Sequence, residues 1–201
     1  RRGRHQGQHH HHQTHASELT YKTLLTSLKS QYQQIENEIT GIEREMRKKL
    51  AEDERLKQLE DTGSGLFLWP VPSRKINATF HDPDYPYRMV FEHSGIDIKA
   101  MQGTLIKAAG SGYIARAKRC SSASCYSYVM IVHSGGLSTV YGHLSGIMVK
   151  EDQFVTRGDT IASSGGIPGT VGAGPFVTGP HLHFEVRKNG IPVDPQPYLG
   201  L

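Results

Sequence analysis

The sequence contains no long apolar run, few cysteines and no large excess of charge of either sign. None of its apolar stretches approaches the length of a membrane-spanning helix. Its 23 Lys and Arg against 19 Asp and Glu leave a surplus too small and too scattered to indicate nucleic acid binding. An initiator methionine and a signal-peptide pattern are also missing, so we expect a trimmed fragment without its targeting information.

The chain has only two cysteines, Cys120 and Cys125, and four small residues separate them. A metal site is not indicated, because no further cysteine is available and the short gap contains no other ligand. We expect a disulfide that closes the tip of a hairpin; two free thiols in an exposed loop are the alternative. A disulfide favours a periplasmic, cell-envelope or extracellular location.

Residues 1–17 hold half of the 12 histidines, mixed with Arg, Gln and Gly. This composition shows no apolar pattern and predicts a disordered tail or an expression tag. The folded part of the chain is therefore expected to begin at residue 18.

Residues 18–61 have the pattern of a coiled-coil helix, because apolar residues recur at spacings of four and three. The positions are Tyr21, Leu25, Leu28, Tyr32, Ile35, Ile39, Ile42 and Met46. The pattern breaks at Lys49 and resumes at Leu56 and Leu59, and 62–65 (TGSG) predicts a linker. We expect self-association or a division or cell-wall partner. A single amphipathic helix lying on its own domain is the alternative.

Residues 66–201 show short apolar, β-branched or aromatic runs between Gly, Pro, Asn and Ser. Such spacing predicts an antiparallel β domain, as a sheet or a sandwich, and the segment is long enough for one compact core. The predicted fold class is therefore mainly β, with an N-terminal α-helical coiled-coil segment.

Four histidines and one aspartate lie in three short segments of this β domain, at 93–97, 141–144 and 179–185. Imidazole and carboxylate form a ligand set that zinc accepts, and a site with three protein ligands keeps a fourth position for water. Two histidines would then be left for proton transfer. This surplus favours an enzyme over a purely structural metal site.

Alternation along a strand puts His181, His183 and Glu185 on one face. Two histidines on one face can both reach a single reaction centre, one as a ligand and one beside it. Glu185 can orient His183 from behind. The pattern favours instead a surface ion pair between Glu185 and Arg187.

The other two segments require more than simple alternation. The same period puts Tyr141 and His143 on one face, which makes Tyr141 a candidate substrate-binding residue, with a packing role as the alternative. His93 and Asp97 would lie about 13 Å apart in an extended strand, too far to share an ion. A bend is therefore expected at Ser94-Gly95, because glycine tolerates the necessary dihedral angles.

Residues 66–199 resemble the lysostaphin-type, or LytM-type, zinc metallopeptidases that cut peptidoglycan cross-bridges. The matching segments are 103–108 (GTLIKA), 112–115 (GYIA), 139–145 (TVYGHLS), 155–159 (VTRGD), 178–187 (TGPHLHFEVR) and 189–195 (NGIPVDP). The resemblance implies one zinc ion per domain, held by His93, Asp97 and His183. It also implies that His143 and His181 form the unligated catalytic pair, one taking the proton of the attacking water.

The resemblance therefore implies a zinc-dependent endopeptidase that hydrolyses peptide cross-links during cell-wall remodelling or cell separation. Some family members lack the zinc ligands and activate cell-wall amidases instead. All five positions are present here, which favours the hydrolase, and an activator working through the coiled coil is the alternative. A carbohydrate- or peptide-binding β module ranks last, because it does not require the five residues. The hairpin at 120–125, the segment 81–88 and the glycine-rich loop 165–179 depart from the family pattern.

Overall fold

A computed structural model describes residues 5–51 and 67–201, with side chains from residue 18 onward. Within this part of the chain, one long helix, α1 (His5–Leu50), precedes eleven strands and a short 3₁₀ turn (Pro197–Leu199). All strand pairs are antiparallel. The prediction of a mainly β fold with an N-terminal helical segment is confirmed.

Helix α1 begins earlier than its composition predicts. It starts at His5, inside the stretch 1–17 that was expected to be disordered. Extending an existing helix needs no new nucleation step, so residues without an apolar pattern can continue it. At its other end, Arg47, Lys48 and Lys49 lie in the last turn, where positive charge is favourable. Leu56, Leu59 and the predicted linker 62–65 lie outside the described residues.

The chain divides into two compact units, Arg1–Asn37 and Glu38–Leu201. In the first unit, α1 exposes Leu19, Tyr21 and Leu24, which are each more than half accessible to solvent. The coiled coil and its partner remain predictions for this unit.

Two antiparallel sheets form the β domain of the second unit. The strands are β1 (Ile76–Ala78), β2 (Ile96–Lys99), β3 (Leu105–Lys107), β4 (Gly112–Lys118), β5 (Tyr128–Val132), β6 (Leu137–Gly142), β7 (Leu144–Ile147), β8 (Phe154–Val155), β9 (Thr160–Ser164), β10 (His181–Lys188) and β11 (Ile191–Val193). The main sheet has the order β1-β2-β10-β6-β5-β4-β8, with β11 also paired to β10. The small sheet has the order β3-β9-β7.

The hydrophobic core lies on one face of the main sheet. Alternate residues of its central strands, such as Ile98, Leu182 and Phe184, are fully buried there. The small sheet contributes Ile106 and Ile161 to the same cluster. The two sheets therefore cover each other, as the period of two along each strand requires.

The opposite face of the main sheet is polar and is partly covered by the last turns of α1. Ile39 and Met46 are buried there. Glu38 accepts hydrogen bonds from Lys118 at 2.7 Å and from the Tyr128 hydroxyl at 3.0 Å. For residues 38–50, the structure therefore matches the alternative of an amphipathic helix packed on its own domain.

Cys120 and Cys125 form the predicted disulfide at the tip between β4 and β5. Among the described residues, no helix combines the length and the apolar character that a membrane span needs.

Candidate metal centre

The centre of the candidate site lies where β2 and β10 run side by side. Asp97 of β2 is directly opposite His183 of β10 in the antiparallel register. His93 reaches the same point because the chain bends just before β2. Glycine is needed at this bend because a Cβ atom on Gly95 would collide with the carbonyl oxygen of Phe184. The predicted bend is present, but close approach of two backbones explains the glycine, since its φ is not positive.

Three potential ligand atoms converge at this point. Asp97 Oδ1 lies 2.9 Å from His183 Nδ1 and 3.2 Å from His93 Nε2. The two imidazole nitrogens are 3.1 Å apart. All three side chains are buried, so water cannot easily separate the groups. His93, Asp97 and His183 form a cluster of the size that can hold a metal ion.

The outer nitrogen of each imidazole shows which nitrogen is free to bind a metal. His93 Nδ1 lies 2.7 Å from the Thr79 carbonyl oxygen, and His183 Nε2 lies 3.1 Å from Glu185 Oε1. Carbonyl and carboxylate oxygens only accept hydrogen bonds, so these two nitrogens carry the hydrogens. His93 Nε2 and His183 Nδ1 therefore direct lone pairs toward the Asp97 carboxylate. Three electron-rich atoms this close together fit a cation, and this donor set suits zinc.

The electrostatics of the site point in the same direction. Burial alone lowers the pKa of His183, but the hydrogen bonds and charges of Asp97 and Glu185 outweigh it and raise the pKa to about 10. Burial likewise opposes ionisation of Asp97, yet its bonds to His183 and His93 hold its pKa well below the usual range. Both shifts mean that positive charge is strongly favoured between these groups.

Two further histidines, His143 and His181, lie beside the three converging groups. Their ring centroids are 4.8 Å apart, and the His143 ring is 5.9 Å from that of His183. His143 Nδ1 donates to the Ala173 carbonyl oxygen at 2.6 Å, and His181 Nδ1 donates to the Gly179 carbonyl oxygen at 2.7 Å. Each neutral ring therefore keeps a lone pair on Nε2.

These two rings are held in the neutral form. Burial lowers the pKa of His143 to about 3, and the neighbouring His181 and His183 add to this effect. Burial also lowers the pKa of His181, although Asp97 opposes the shift. The Nε2 atom of His181 is buried, lies 3.5 Å from Asp97 Oδ1 and has no hydrogen-bond partner within the described residues. A buried acceptor without a partner is unusual and points to a role in chemistry.

The five residues predicted as zinc ligands and catalytic pair are thus brought to one place. The sequence model of peptidase family M23 matches residues 91–195, which include all of them. This chain belongs to peptidase family M23. The resemblance to lysostaphin-type metallopeptidases is thereby confirmed.

Relatives of this M23 domain support the same conclusion. A protein of Neisseria meningitidis named DD-carboxypeptidase/endopeptidase Mpg is 36% identical over 144 residues, which are 71% of this chain and 31% of that protein. The chain therefore spans about a third of this relative. A zinc-containing peptidase from Vibrio cholerae superposes with a TM-score of 0.54 at 33% identity, covering 65% of this chain and 39% of that one. Lysostaphin from Staphylococcus simulans gives a TM-score of 0.50 at 26% identity, covering 63% and 50%. Membership of family M23, the match to the zinc-containing peptidase and the His-Asp-His donor set together identify zinc as the cofactor.

One predicted residue of the M23 site lies elsewhere. Tyr141 is fully buried on the core face of β6, where its hydroxyl group accepts hydrogen bonds from the Ala109 amide at 2.8 Å and from Thr139 Oγ1 at 3.0 Å. Alternation fails because His143, after the end of β6, has a left-handed backbone with φ of 57°. This conformation turns His143 to the site face while Tyr141 stays in the core. The substrate-binding role predicted for Tyr141 is wrong.

The expected surface pair of Glu185 and Arg187 is also wrong, because both residues are almost completely buried. Glu185 accepts hydrogen bonds from Ser94 Oγ at 2.6 Å, from Arg187 Nη1 at 2.8 Å and from His183. The alternative role holds: Glu185 lies directly behind His183 and fixes which of its nitrogens is protonated.

A cavity of about 170 Å³ opens beside Asp97 and His181. Tyr85 and Tyr87, from the segment before the first histidine, line one part of it, and Phe176 of the glycine-rich loop lines another. Segment 81–88 and the glycine-rich loop, two segments expected to depart from the family pattern, therefore both line this cavity, together with Asn77 and Ala78 of β1.

The glycine-rich loop also makes contacts that the sequence did not reveal. Its backbone amides at Gly172 and Gly174 donate to the carbonyl oxygens of Ser122 and Ala123, inside the disulfide-closed hairpin, at 3.1 and 2.9 Å. Between those two glycines lies Ala173, whose carbonyl oxygen holds His143. Only the tertiary structure brings 120–125 and 172–174 together, so no local sequence signal announced this support.

Removing the disulfide is therefore expected to lower kcat while zinc stays bound. In the double variant Cys120→Ser and Cys125→Ser, the hairpin is freer to move, and the Ala173 carbonyl oxygen loses part of its support. A small misplacement of His143 should lower kcat about tenfold. The measurement is kcat together with zinc content, using substitution because thiol reductants bind zinc themselves. Unchanged kcat would show that the hairpin does not support His143.

Proposed function

We propose that this chain is a zinc-dependent endopeptidase that hydrolyses peptide cross-links of bacterial peptidoglycan. The observation that carries the proposal is the arrangement of His93, Asp97 and His183 beside two neutral histidines whose Nε2 atoms carry no hydrogen. A purely structural metal site needs only ligands, so two additional bases beside three ligands indicate a catalytic site. The name of the Neisseria relative, a carboxypeptidase and endopeptidase, supports a peptide substrate.

The proposed zinc ligands are His93 Nε2, Asp97 and His183 Nδ1, the atoms that converge at about 3 Å. When bound, the ion supplies Lewis acidity that polarises the scissile carbonyl group and lowers the pKa of bound water. The chain itself orients the ligands: the Thr79 carbonyl oxygen fixes the His93 ring, and Glu185 fixes the His183 ring.

The proposed catalytic pair is His143 and His181. Since both Nδ1 atoms donate to backbone carbonyl oxygens, both Nε2 atoms act as proton acceptors while the rings are neutral. One ring accepts the proton of the attacking water at Nε2. That ring then becomes a donor at the same atom and can steady the oxyanion or protonate the leaving amine. The ring that has accepted the proton is therefore the one that can donate a hydrogen bond or a proton.

We also propose that the protein works in the periplasm or elsewhere in the cell envelope. Peptidoglycan lies outside the cytoplasm, and the Cys120–Cys125 disulfide suits an oxidising compartment. Self-association through the N-terminal half of α1, or its binding to a division or cell-wall partner, belongs to the same proposal.

The test is digestion of purified peptidoglycan sacculi with the zinc-loaded protein, followed by mass spectrometry of the products. We expect cross-linked peptide fragments to decrease and single-stem fragments to increase, with the sugar–peptide amide bond intact. The matched control is the His143→Ala variant, which is expected to bind zinc without cleaving. If the zinc-loaded protein leaves every cross-link intact, and sacculi are cut only after an amidase is added, the chain is an activator instead.

A further inference from the structure

A row of buried charged side chains extends from the metal centre to helix α1. Behind His183, Glu185 accepts a hydrogen bond from Arg187 Nη1 at 2.8 Å. On its other side, Arg187 Nε lies 3.7 Å from Glu43 Oε2 of α1. Glu185, Arg187 and Glu43 are each at most 2% exposed. The row therefore crosses from β10 to the helix without passing through solvent.

Two residues on neighbouring turns of helix α1 contact the Arg187 side chain. Thr40 Oγ1 accepts from Arg187 Nη2 at 3.3 Å, and Glu43 supplies the negative charge. Glu43 also accepts two hydrogen bonds from Arg47, at 2.7 and 3.0 Å, and the Arg47 side chain is partly exposed. Positive and negative groups thus alternate from the metal centre to the surface.

Each member of the row constrains the next because a buried charge without a partner is costly. Glu185 presents Oε2 to Arg187 and Oε1 to His183, so the direction of its carboxylate depends on where the guanidinium group lies. The position of that group in turn depends on Thr40 and Glu43 of α1, and also on the Gly190 carbonyl oxygen, which accepts from Nη2 at 3.1 Å. The orientation of His183 is therefore linked to a residue on the helix.

We propose that Glu43 is a positioning residue for the metal centre. Through Arg187 and Glu185 it holds the His183 ring with Nδ1 directed at Asp97, and docking of residues 38–50 on the sheet thereby sets the zinc affinity. The inference rests on the proposed role of His183 as a ligand. It gives the C-terminal part of α1 a function in the chemistry of the β domain, beyond covering its surface.

The test compares two variants of α1 in the full chain, Glu43→Gln and Glu38→Gln. Glu38 is a matched control, because it also pairs a helix carboxylate with a sheet cation, Lys118 at 2.7 Å, but does not contact Arg187. The zinc dissociation constant is measured by competition with a chromophoric chelator. Glu43→Gln is expected to raise it about tenfold, as expected for partners that orient metal ligands. Glu38→Gln is expected to leave it within about twofold of the parent value.

Two further measurements separate positioning from general stability. The visible absorption of the cobalt-substituted protein reports ligand geometry, and it should change in Glu43→Gln but not in Glu38→Gln. In a Glu185→Gln background, the added Glu43→Gln change should have no further effect on the zinc dissociation constant, because the route to His183 is already broken. If Glu43→Gln fails to fold, Thr40→Val removes an acceptor of Arg187 without leaving a buried charge unpaired and should also weaken zinc binding.

Several results would overturn the proposal. The first is an unchanged zinc affinity in Glu43→Gln, or in Thr40→Val if Glu43→Gln does not fold. The second is a loss of zinc affinity in Glu38→Gln as large as that in Glu43→Gln. The third is a further loss of zinc affinity when Glu43→Gln is added to Glu185→Gln. Failure of the proposed function looks different: the parent protein would bind no zinc, or would bind it with the expected dependence on Glu43 and still leave sacculi uncut.

Discussion

The variant His143→Ala is expected to lose about 10³-fold in kcat on peptidoglycan while retaining one zinc ion per domain. His143 lies beside the three converging ligand atoms, and its Nδ1 is bound to the Ala173 carbonyl oxygen. Its removal therefore leaves the proposed ligands in place but takes away a proton acceptor. The measurements are kcat on sacculi and zinc content by elemental analysis of the dialysed protein.

The matched control is His183→Ala, which is expected to lose zinc as well as activity. His183 Nδ1 lies 2.9 Å from Asp97 Oδ1 and 3.1 Å from His93 Nε2, so its loss opens one side of the site. Parent-like cleavage by His143→Ala would remove His143 from the mechanism. Stoichiometric, tightly held zinc in His183→Ala would contradict the ligand assignment.

Removing zinc from the parent protein is expected to abolish cleavage and to lower the melting temperature, both reversibly. A ligand that binds only the folded state stabilises it by about 4 kcal/mol when its free concentration exceeds the dissociation constant a thousandfold. For a domain of this size, that corresponds to roughly 10 °C. The measurement is thermal unfolding in a chelator and again after zinc has been restored.

The same variants provide controls for this stability effect. His143→Ala should keep the full difference in melting temperature between its zinc-loaded and zinc-free forms, because its proposed ligands are intact. His183→Ala should show almost no difference. If the parent protein melts at the same temperature with and without zinc, the ion does not bind the folded state at this site.

Alternation predicted the site best where a strand is regular. Along β10, His181, His183 and Glu185 share one face, while Leu182 and Phe184 enter the core, because eight consecutive residues keep the extended period. The residue types also sufficed to suggest zinc, since neutral imidazole and carboxylate form a donor set that zinc accepts.

Alternation failed where the backbone leaves the extended region. The left-handed conformation of His143 breaks the period between β6 and β7, and this placed Tyr141 on the wrong face in the prediction. The same kind of limit applies to Glu185 and Arg187. Their charges suggested a surface, but the last turns of α1 cover them, and no pattern within β10 indicates a covering helix.

The sequence by itself determined the fold class, the histidines and the aspartate that meet at the site, and the bend that brings His93 to Asp97. These features depend on side-chain chemistry and on local backbone geometry, and both of these are determined by residues that are close together in the sequence. For His181 and His183, the partners that choose the free nitrogen, Gly179 and Glu185, lie two residues away on the same stretch of chain. For His93 and His143, only the tertiary structure decided which nitrogen is free, because folding brings the Thr79 and Ala173 carbonyl oxygens from separate segments.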